Sequence, residues 1–411
     1  MYWHTILLLS FFILNTLQQQ VVLTNSAGLI QPFTYEWVHI LEQLHNTFGN
    51  RSKSEKKCLH QIPKFKCKPF YWEDSITNRD AYHLRPIDIK SVIAIGDSMT
   101  AGFGMMSGRP PFSTILEYRG KVFSVGGDEG EYTIPNFLSV YSDVQGPPEG
   151  ITLPLSKGKK LNSAITGAKT QDLNQEVERL IHLLNTKEYR QVKDEWKVIT
   201  LFIGANNVCV LCTPPVTRLP DLSDADIFEN NIRLVLERLR TEVGKSFINL
   251  VGLFNVSSVY EATRGDSYCE MIWDPSYMMI CSCIQQDEQQ RQGKQELVLE
   301  KVELNKSTAA DRLIHEYNLR LQKLEKEFKF KDKEQFGVSY QPAFTQFPVA
   351  KYKQAYFSGI DCSFHPNKCA NQIMAILLWN NMFSNELEKR RRYDMESLKI
   401  QCPSPSRPYI R

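Results

Sequence analysis

Short apolar runs alternate with helical patterns along the chain from Ser91 onward. The runs are rich in β-branched and aromatic residues, have the length of strands and are bounded by Gly or polar residues; they cover residues 91–95, 122–125, 197–203, 247–253 and 336–340. Between them, apolar residues recur at helical spacing, as in the sets Leu173, Val177, Leu180, Ile181, Leu184 and Leu313, Tyr317, Leu321, Leu324, Phe328. The pattern predicts five strands separated by helices.

Strands that alternate with helices pair in parallel through right-handed crossovers. We therefore expect an α/β fold with an open, doubly wound sheet of five parallel strands flanked by helices, and a functional site at the carboxyl ends of the strands. Two further helix starts are predicted. Ser223 with Asp226 resembles a capping box before a helix through 228–243, and Pro366 suits the first position of a helix that includes Ile373, Ile376, Leu377 and Phe383.

The N-terminal residues predict the compartment. Residues 6–14 are apolar except for one Ser, and polar and then small residues follow up to Gly28. The stretch is shorter than the roughly 20 residues of a membrane span and is typical of a signal peptide over residues 1–27, although Lys and Arg are missing before it. An uncleaved anchor or a buried N-terminal helix are the alternatives. Three glycosylation sequons, at Asn50, Asn255 and Asn305, agree with secretion.

Composition narrows the possible partners. The 411 residues are 42% hydrophobic and 23% charged, which is ordinary for a globular protein, and the net charge is +3 with the basic residues spread along the chain. A nucleic-acid partner is therefore not expected. In an oxidising compartment, the clustering of the ten cysteines favours short-range disulfides: Cys58 with Cys67, Cys209 with Cys212, Cys269 with Cys281 or Cys283, and Cys362 with Cys369. Their spacing does not favour a metal site.

Four segments carry candidate chemistry. The first strand ends in Gly96-Asp97-Ser98, which presents a serine on a strand-to-helix turn, the position of a nucleophile; a helix N-cap is the alternative interpretation of Ser98. A small-residue turn contains Gly167, and Asn206 follows the third predicted strand. A Gly N–H and an Asn amide are neutral donors of the kind that stabilise an oxyanion, although Asn206 can instead serve only its own backbone.

The fourth segment runs from Asp361 to His365, beyond the last strand. On the loop before a helix, His365 can act as a general base, and Asp361 is near enough to orient its imidazole. The chain also contains two other Asp–His spacings. His83, which follows Asp80, precedes the first strand, and His315 lies within a helical pattern, so His365 is the favoured base.

These four segments, in this order, resemble the blocks of the GDSL esterase and lipase superfamily, also called SGNH hydrolases, over residues 88 to 385. Within it the chain looks most like the phospholipase B branch, on segments such as 118–120, 124–129, 196–204 and 378–382. The resemblance implies a hydrolase domain over 88–392, preceded by an N-terminal extension (28–87) and followed by a C-terminal tail (393–411). It also implies hydrolysis of fatty-acyl esters of glycerophospholipids and lysophospholipids, without a cofactor or metal.

For the site, the resemblance implies Ser98 as nucleophile, with His365 and Asp361 completing the triad. Its oxyanion donors would be the Ser98 N–H, Gly167 and Asn206. We expect a secreted enzyme that contacts membrane surfaces transiently and has no transmembrane anchor.

Two departures from the family pattern bear on activity. Asn207 stands where the family has Asp, and three residues separate Asp361 from His365 where the family has two. A catalytically impaired, secreted lipid-binding protein on a hydrolase fold is therefore the alternative function.

Overall fold

Four parallel strands form the centre of the fold. The computed structural model describes residues 58–69, 79–106, 116–154, 156–209, 222–256, 258–259, 309–347, 349, 351, 356 and 365–411. The strands are β1 (Ile89–Gly96), β2 (Trp196–Phe202), β3 (Ser246–Val251) and β4 (Phe336–Gln341), hydrogen-bonded in the order β1-β2-β3-β4. All but one of their residues are buried, as expected for a parallel sheet covered on both faces.

The helices lie in two groups around the sheet. Their bounds are α1 (Ser98–Ala101), α2 (Ile134–Leu138), α3 (Leu173–Leu184), α4 (Ala205–Cys209), α5 (Ala225–Arg238), α6 (Ala309–Phe328), α7 (Lys368–Met382) and α8 (Glu386–Lys389). Helices α3, α5 and α6 pack side by side, while α2 packs against α7. The predicted α/β class with a parallel sheet flanked by helices is confirmed.

The predicted second strand, Val122–Val125, is wrong. These residues form a buried turn, in which the Phe123 ring packs edge-on against Phe344 with centroids 5.2 Å apart. The outer edge of β1 is instead paired by two short segments. The Gln145 carbonyl accepts from the Val92 N–H at 3.1 Å, and the Leu161 carbonyl accepts from the Ala94 N–H at 3.2 Å.

The edge of the sheet beside β1 is therefore covered by two separate short segments, around Gln145 and Leu161, and not by a continuous fifth strand. Gly146 and two prolines, Pro147 and Pro148, follow Gln145, and proline has no N–H to continue a ladder. The chain passes from β1 to this edge and then back across β1 to β2, so the crossover direction reverses at β1. That reversal is the topological switch point at which doubly wound sheets hold their sites.

Helix starts differ in detail from the sequence prediction. Asp224, not Ser223, caps α5, because its carboxylate accepts from the backbone N–H groups of Asp226 and Ile227 at 2.8 and 3.0 Å. Likewise Asn367 caps α7, which places Pro366 one residue before the cap. The two predicted starts were wrong by one and by two residues, because Asp224 and Asn367 are themselves favoured N-cap residues.

Two of the predicted local disulfides, Cys58 with Cys67 and Cys362 with Cys369, are wrong. Cys58 pairs with Cys369 and Cys67 pairs with Cys402, across 311 and 335 residues of sequence. Both bonds attach residues 58–69 to the C-terminal part of the same compact unit, Lys56–Arg411. Cys209 is disulfide-bonded as well. The predicted partners Cys212, Cys269, Cys281, Cys283 and Cys362 lie outside the described residues.

Three other predictions concern residues beyond the described ranges. The predicted signal peptide lies there, and so do the sequons at Asn50 and Asn305, whereas Asn255 is described and exposed. Among the described residues, no helix is both long and apolar enough to cross a membrane.

Candidate active site

Ser98 stands at the first turn after β1. The strand ends at Gly96, and Asp97 caps the short helix α1 by accepting a hydrogen bond from the Met99 N–H at 3.0 Å. Ser98 is thus the first helical residue, and the interpretation of Ser98 as the N-cap is wrong. Its side chain is almost fully buried at the carboxyl edge of the sheet.

Gly96 allows the chain to turn at this point. Its φ is +149°, and a Cβ added there would lie 2.2 Å from the Phe202 carbonyl oxygen on the neighbouring strand. No other residue type fits without displacing the backbone. The turn that carries Ser98 therefore lies directly against the end of β2.

His365 reaches Ser98 from the other end of the chain. Its Nε2 lies 2.7 Å from the Ser98 Oγ, and both side chains are buried. The Phe103 ring packs against the imidazole, with centroids 4.9 Å apart. His365 is held just before α7, whose cap residue Asn367 donates its N–H to the Tyr356 carbonyl at 3.0 Å. Asp361, the predicted orienting acid, lies outside the described residues.

The turn that carries Gly167 is fixed to the end of β1. The Ile165 N–H donates to the Gly96 carbonyl at 3.1 Å, and the Ala168 N–H closes the turn onto the Ile165 carbonyl at 3.0 Å. Gly167 has φ of +86° and is exposed, with nothing within 4 Å of its Cβ position. Its left-handed conformation is the one that favours glycine.

Asn206 joins this turn from the end of β2. It lies in the short helix α4, and its Nδ2 donates to the Ala168 carbonyl at 2.9 Å. Since Ala168 follows Gly167 directly, the two predicted oxyanion donors are neighbours in space. The structure therefore brings together two pairs, Ser98 with His365 and Gly167 with Asn206, around the end of β1.

Asn207, the next residue of α4, links this helix to the residues that follow the Gly167 turn. It is fully buried, its Oδ1 accepts from the Thr170 N–H at 3.0 Å, and its Nδ2 donates to the Leu222 carbonyl at 2.7 Å and to Gln171 Oε1 at 3.2 Å. A carboxylate has no donor for the last two contacts. Asn207, which stands where the family pattern has Asp, therefore makes two hydrogen bonds that an aspartate could not make.

Two buried carboxyl groups, of Asp97 and Glu176, flank the turn that carries Ser98, and the sequence did not predict that either would support this turn. Burial raises the pKa of Asp97 to about 6, against the lowering effects of the Met99 N–H and of His365. Glu176 of α3 accepts from the Gly96 N–H at 2.7 Å, and burial raises its pKa well above the usual range, to which Asp97 also contributes. The available sequence clue was the place of Glu176 on the apolar stripe of α3, three residues after Leu173.

The other predicted Asp–His spacing near the N-terminus forms a surface pair. The Asp80 Oδ1 lies 2.7 Å from the His83 Nδ1, and the His83 side chain is 46% exposed. Within the described ranges, no three His, Cys, Asp or Glu side chains are grouped to hold a metal ion.

A hydroxyl within hydrogen-bond distance of an imidazole, at the switch point of a parallel sheet, is the arrangement of a serine hydrolase. Residues 92–378 match the family described as GDSL-like lipase/acylhydrolase. Because this match covers more than half of the 411 residues, the chain belongs to that family.

Curated relatives include two proteins named phospholipase B1, membrane-associated. The Homo sapiens protein is 28% identical over 347 residues, which are 80% of this chain and 22% of that protein, and the Rattus norvegicus protein is 27% identical over 365 residues, or 84% and 23%. The chain thus spans less than a quarter of the length of these relatives. Among solved structures, a mutant of Axe2, an acetylxylan esterase from Geobacillus stearothermophilus, matches 71% of this chain and 93% of its own, with 14% identity and a TM-score of 0.37.

Proposed function

We propose that this protein is a serine esterase that hydrolyses the fatty-acyl esters of glycerophospholipids and lysophospholipids through an acyl-enzyme. The observation that carries the proposal is the 2.7 Å distance between His365 Nε2 and Ser98 Oγ in a buried site. At this distance the imidazole can accept the hydroxyl proton as the oxygen attacks.

Each step then follows from the residues around Ser98. His365 takes the proton from Oγ, and Oγ bonds to the ester carbonyl carbon, so that the carbonyl oxygen becomes an oxyanion. The N–H groups of Ser98 and Gly167 and the Asn206 amide donate to this oxygen. His365 then protonates the departing alcohol, and water releases the fatty acid by the reverse sequence.

Asp361 is the proposed orienting acid of this triad. Three residues separate Asp361 from His365, one more than in the family pattern. We assign Asp361 the role of holding the imidazole in the tautomer that leaves Nε2 ready to accept a proton.

The substrate class and the compartment rest on other support. Two relatives carry the name phospholipase B1, which favours phospholipid over other acyl esters. The apolar stretch at residues 6–14 and the long-range disulfides fit a secreted protein that meets its substrate at a membrane surface.

The deciding experiment measures fatty-acid release from phosphatidylcholine and lysophosphatidylcholine by the purified protein and by Ser98→Ala. We expect the variant to fold normally and to lose nearly all activity. Ser91→Ala is the matched control, because Ser91 is also a buried serine of the same strand region. Activity in Ser98→Ala equal to that of the control would contradict the proposal, and lipid binding without turnover by the wild type would favour the lipid-binding alternative.

A further inference from the structure

A fully buried ion pair lies behind the turn that carries Gly167. The Arg119 Nη2 is 2.7 Å from the Glu117 Oε2, and neither side chain is exposed to solvent. Removing two charges from water is costly, so such a pair adds little stability by itself. Its importance lies in the groups that it holds.

Arg119 ties the Gly167 turn to the nucleophile helix. Its Nη2 donates to the Ala164 carbonyl at 2.9 Å, and its Nη1 donates to the Asn162 Oδ1 at 3.2 Å. The Asn162 amide in turn donates to the Thr100 carbonyl of α1 at 2.8 Å. One guanidinium group thus fixes the start of the turn, and through Asn162 the turn is linked to the helix that begins with Ser98.

Glu117 holds the other end of the turn. Its Oε1 accepts from the Thr166 Oγ at 2.6 Å, while its Oε2 accepts from Arg119 and from the Thr152 Oγ at 2.7 Å. Thr166 directly precedes Gly167, so the anchored residue supplies the carbonyl half of the peptide that bears the Gly167 N–H. The orientation of that N–H therefore depends on the Thr166 hydroxyl.

The segment that carries the pair is itself fixed to the nucleophile turn. The Gly104 N–H donates to the Leu116 carbonyl, and the Tyr118 N–H donates to the Gly102 carbonyl, both at 2.9 Å. The same segment thus borders the end of α1 and the Gly167 turn. These contacts add to the hydrogen bonds from Ile165 to Gly96 and from Asn206 to Ala168 that also hold the turn, and they fix the residue directly before Gly167.

We propose that Glu117, Arg119 and Thr166 are positioning residues that aim the Gly167 N–H at the oxyanion. The inference rests on the proposed function, because it assigns Gly167 the role of an oxyanion donor. It deepens that function by giving the buried pair a role in turnover.

The test replaces Thr166 by Val, which keeps the β-branched shape and removes the hydroxyl. We expect kcat for lysophosphatidylcholine to fall about 10- to 100-fold with KM little changed, since losing an oxyanion donor outright costs about 10²- to 10³-fold. Thr166→Ser retains the hydroxyl and should stay near wild type. Thr186→Val is the matched control, because the Thr186 Oγ donates to the Leu183 carbonyl at the end of α3.

A second measurement separates this inference from the proposed function. A long-chain fluorophosphonate places its phosphoryl oxygen at the oxyanion position as it labels Ser98, so its labelling rate should fall in Thr166→Val by a factor similar to that in kcat. If the wild type is active and folded Thr166→Val keeps both rates within twofold, the positioning role is wrong and the proposed function stands. An equal loss in Thr166→Ser would also overturn it. A wild type that neither turns over ester nor labels would overturn both.

Discussion

Substituting Gly96 by Ala tests how closely the turn that carries Ser98 depends on its contact with β2. The added Cβ would lie 2.2 Å from the Phe202 carbonyl oxygen and 2.8 Å from the Thr100 Oγ. The first of these atoms belongs to the backbone of an inner strand, which cannot move without disturbing its pairing with β1 and β3. The displacement must therefore fall on the turn before Ser98.

The size of the displacement follows from these distances. Ordinary contact with a Cβ begins at 3.4 Å, so the turn must move by about 1.2 Å relative to β2. The Gly96 carbonyl also accepts from the Ile165 N–H, so the Gly167 turn moves as well. Because a misplacement of about 1 Å costs on the order of 10²-fold in rate, we expect kcat to fall at least 10²-fold.

The assay compares kcat and KM of Gly96→Ala, Gly130→Ala and the wild type on lysophosphatidylcholine, with urea unfolding of each. Gly130 is the matched control, because it has φ of +76° and nothing within 4 Å of its Cβ position. The Gly130→Ala variant therefore has the cost of a left-handed alanine, about 1–2 kcal/mol, without a steric clash of the added Cβ. A folded Gly96→Ala enzyme with kcat within threefold of Gly130→Ala would refute the reasoning.

Three further predictions follow from the site and its supports. Asn206→Ala should lower kcat by about 10²- to 10³-fold with little change in KM; an effect confined to KM would show that Asn206 binds substrate instead. Glu176→Gln should become more stable relative to the wild type as pH rises above 4.5 in urea unfolding. Replacing Cys58 and Cys369 by Ser should lower the unfolding free energy by about 4 kcal/mol, and an unchanged urea midpoint would contradict this.

The direction of the pH effect follows from the raised pKa of Glu176. Between the unfolded and the folded pKa, the folded state binds more protons than the unfolded state, so this group makes the wild type less stable as pH rises. The stability that the protonated Glu176 contributes is fully present below the pKa of the unfolded state, and it is lost as pH rises through the pKa of the folded state. A stability difference between Glu176→Gln and wild type that stays constant across this range would contradict the assignment.

The disulfide estimate depends on the second bond remaining intact. With Cys67 still joined to Cys402, the loop that Cys58–Cys369 closes contains only the 9 residues to Cys67 and the 33 residues to Cys402. A loop of this size restricts the unfolded chain by about 4 kcal/mol in the chain-entropy model.

The sheet and its main helices could be predicted from sequence because their causes are local. Strands buried on both faces are continuous apolar runs, and the stripe of α6 repeats at helical spacing through Tyr317, Leu321 and Leu324, all of which are buried. The placement of Ser98 and Asn206 followed in the same way, since each comes directly after a strand of the parallel sheet.

The features that sequence could not give depend on contacts between distant residues. Val122–Val125 has the composition of a strand, yet it is buried by ring packing of Phe123 and not by pairing. The roles of Glu117 and Arg119 arise from hydrogen bonds to residues 33 to 49 positions away. Disulfide connectivity likewise reflects the path of the whole chain, which cysteine spacing does not encode.

The two disulfides also determine what a protease can separate. Both join the segment before β1 to residues after His365, so a single cut between Asn206 and His365 leaves two polypeptides that these disulfides still hold together. The first polypeptide retains Ser98, Gly167 and Asn206, and the second retains His365. A nicked molecule is therefore a two-chain protein whose proposed nucleophile and proposed base belong to different polypeptides, which separate only after reduction.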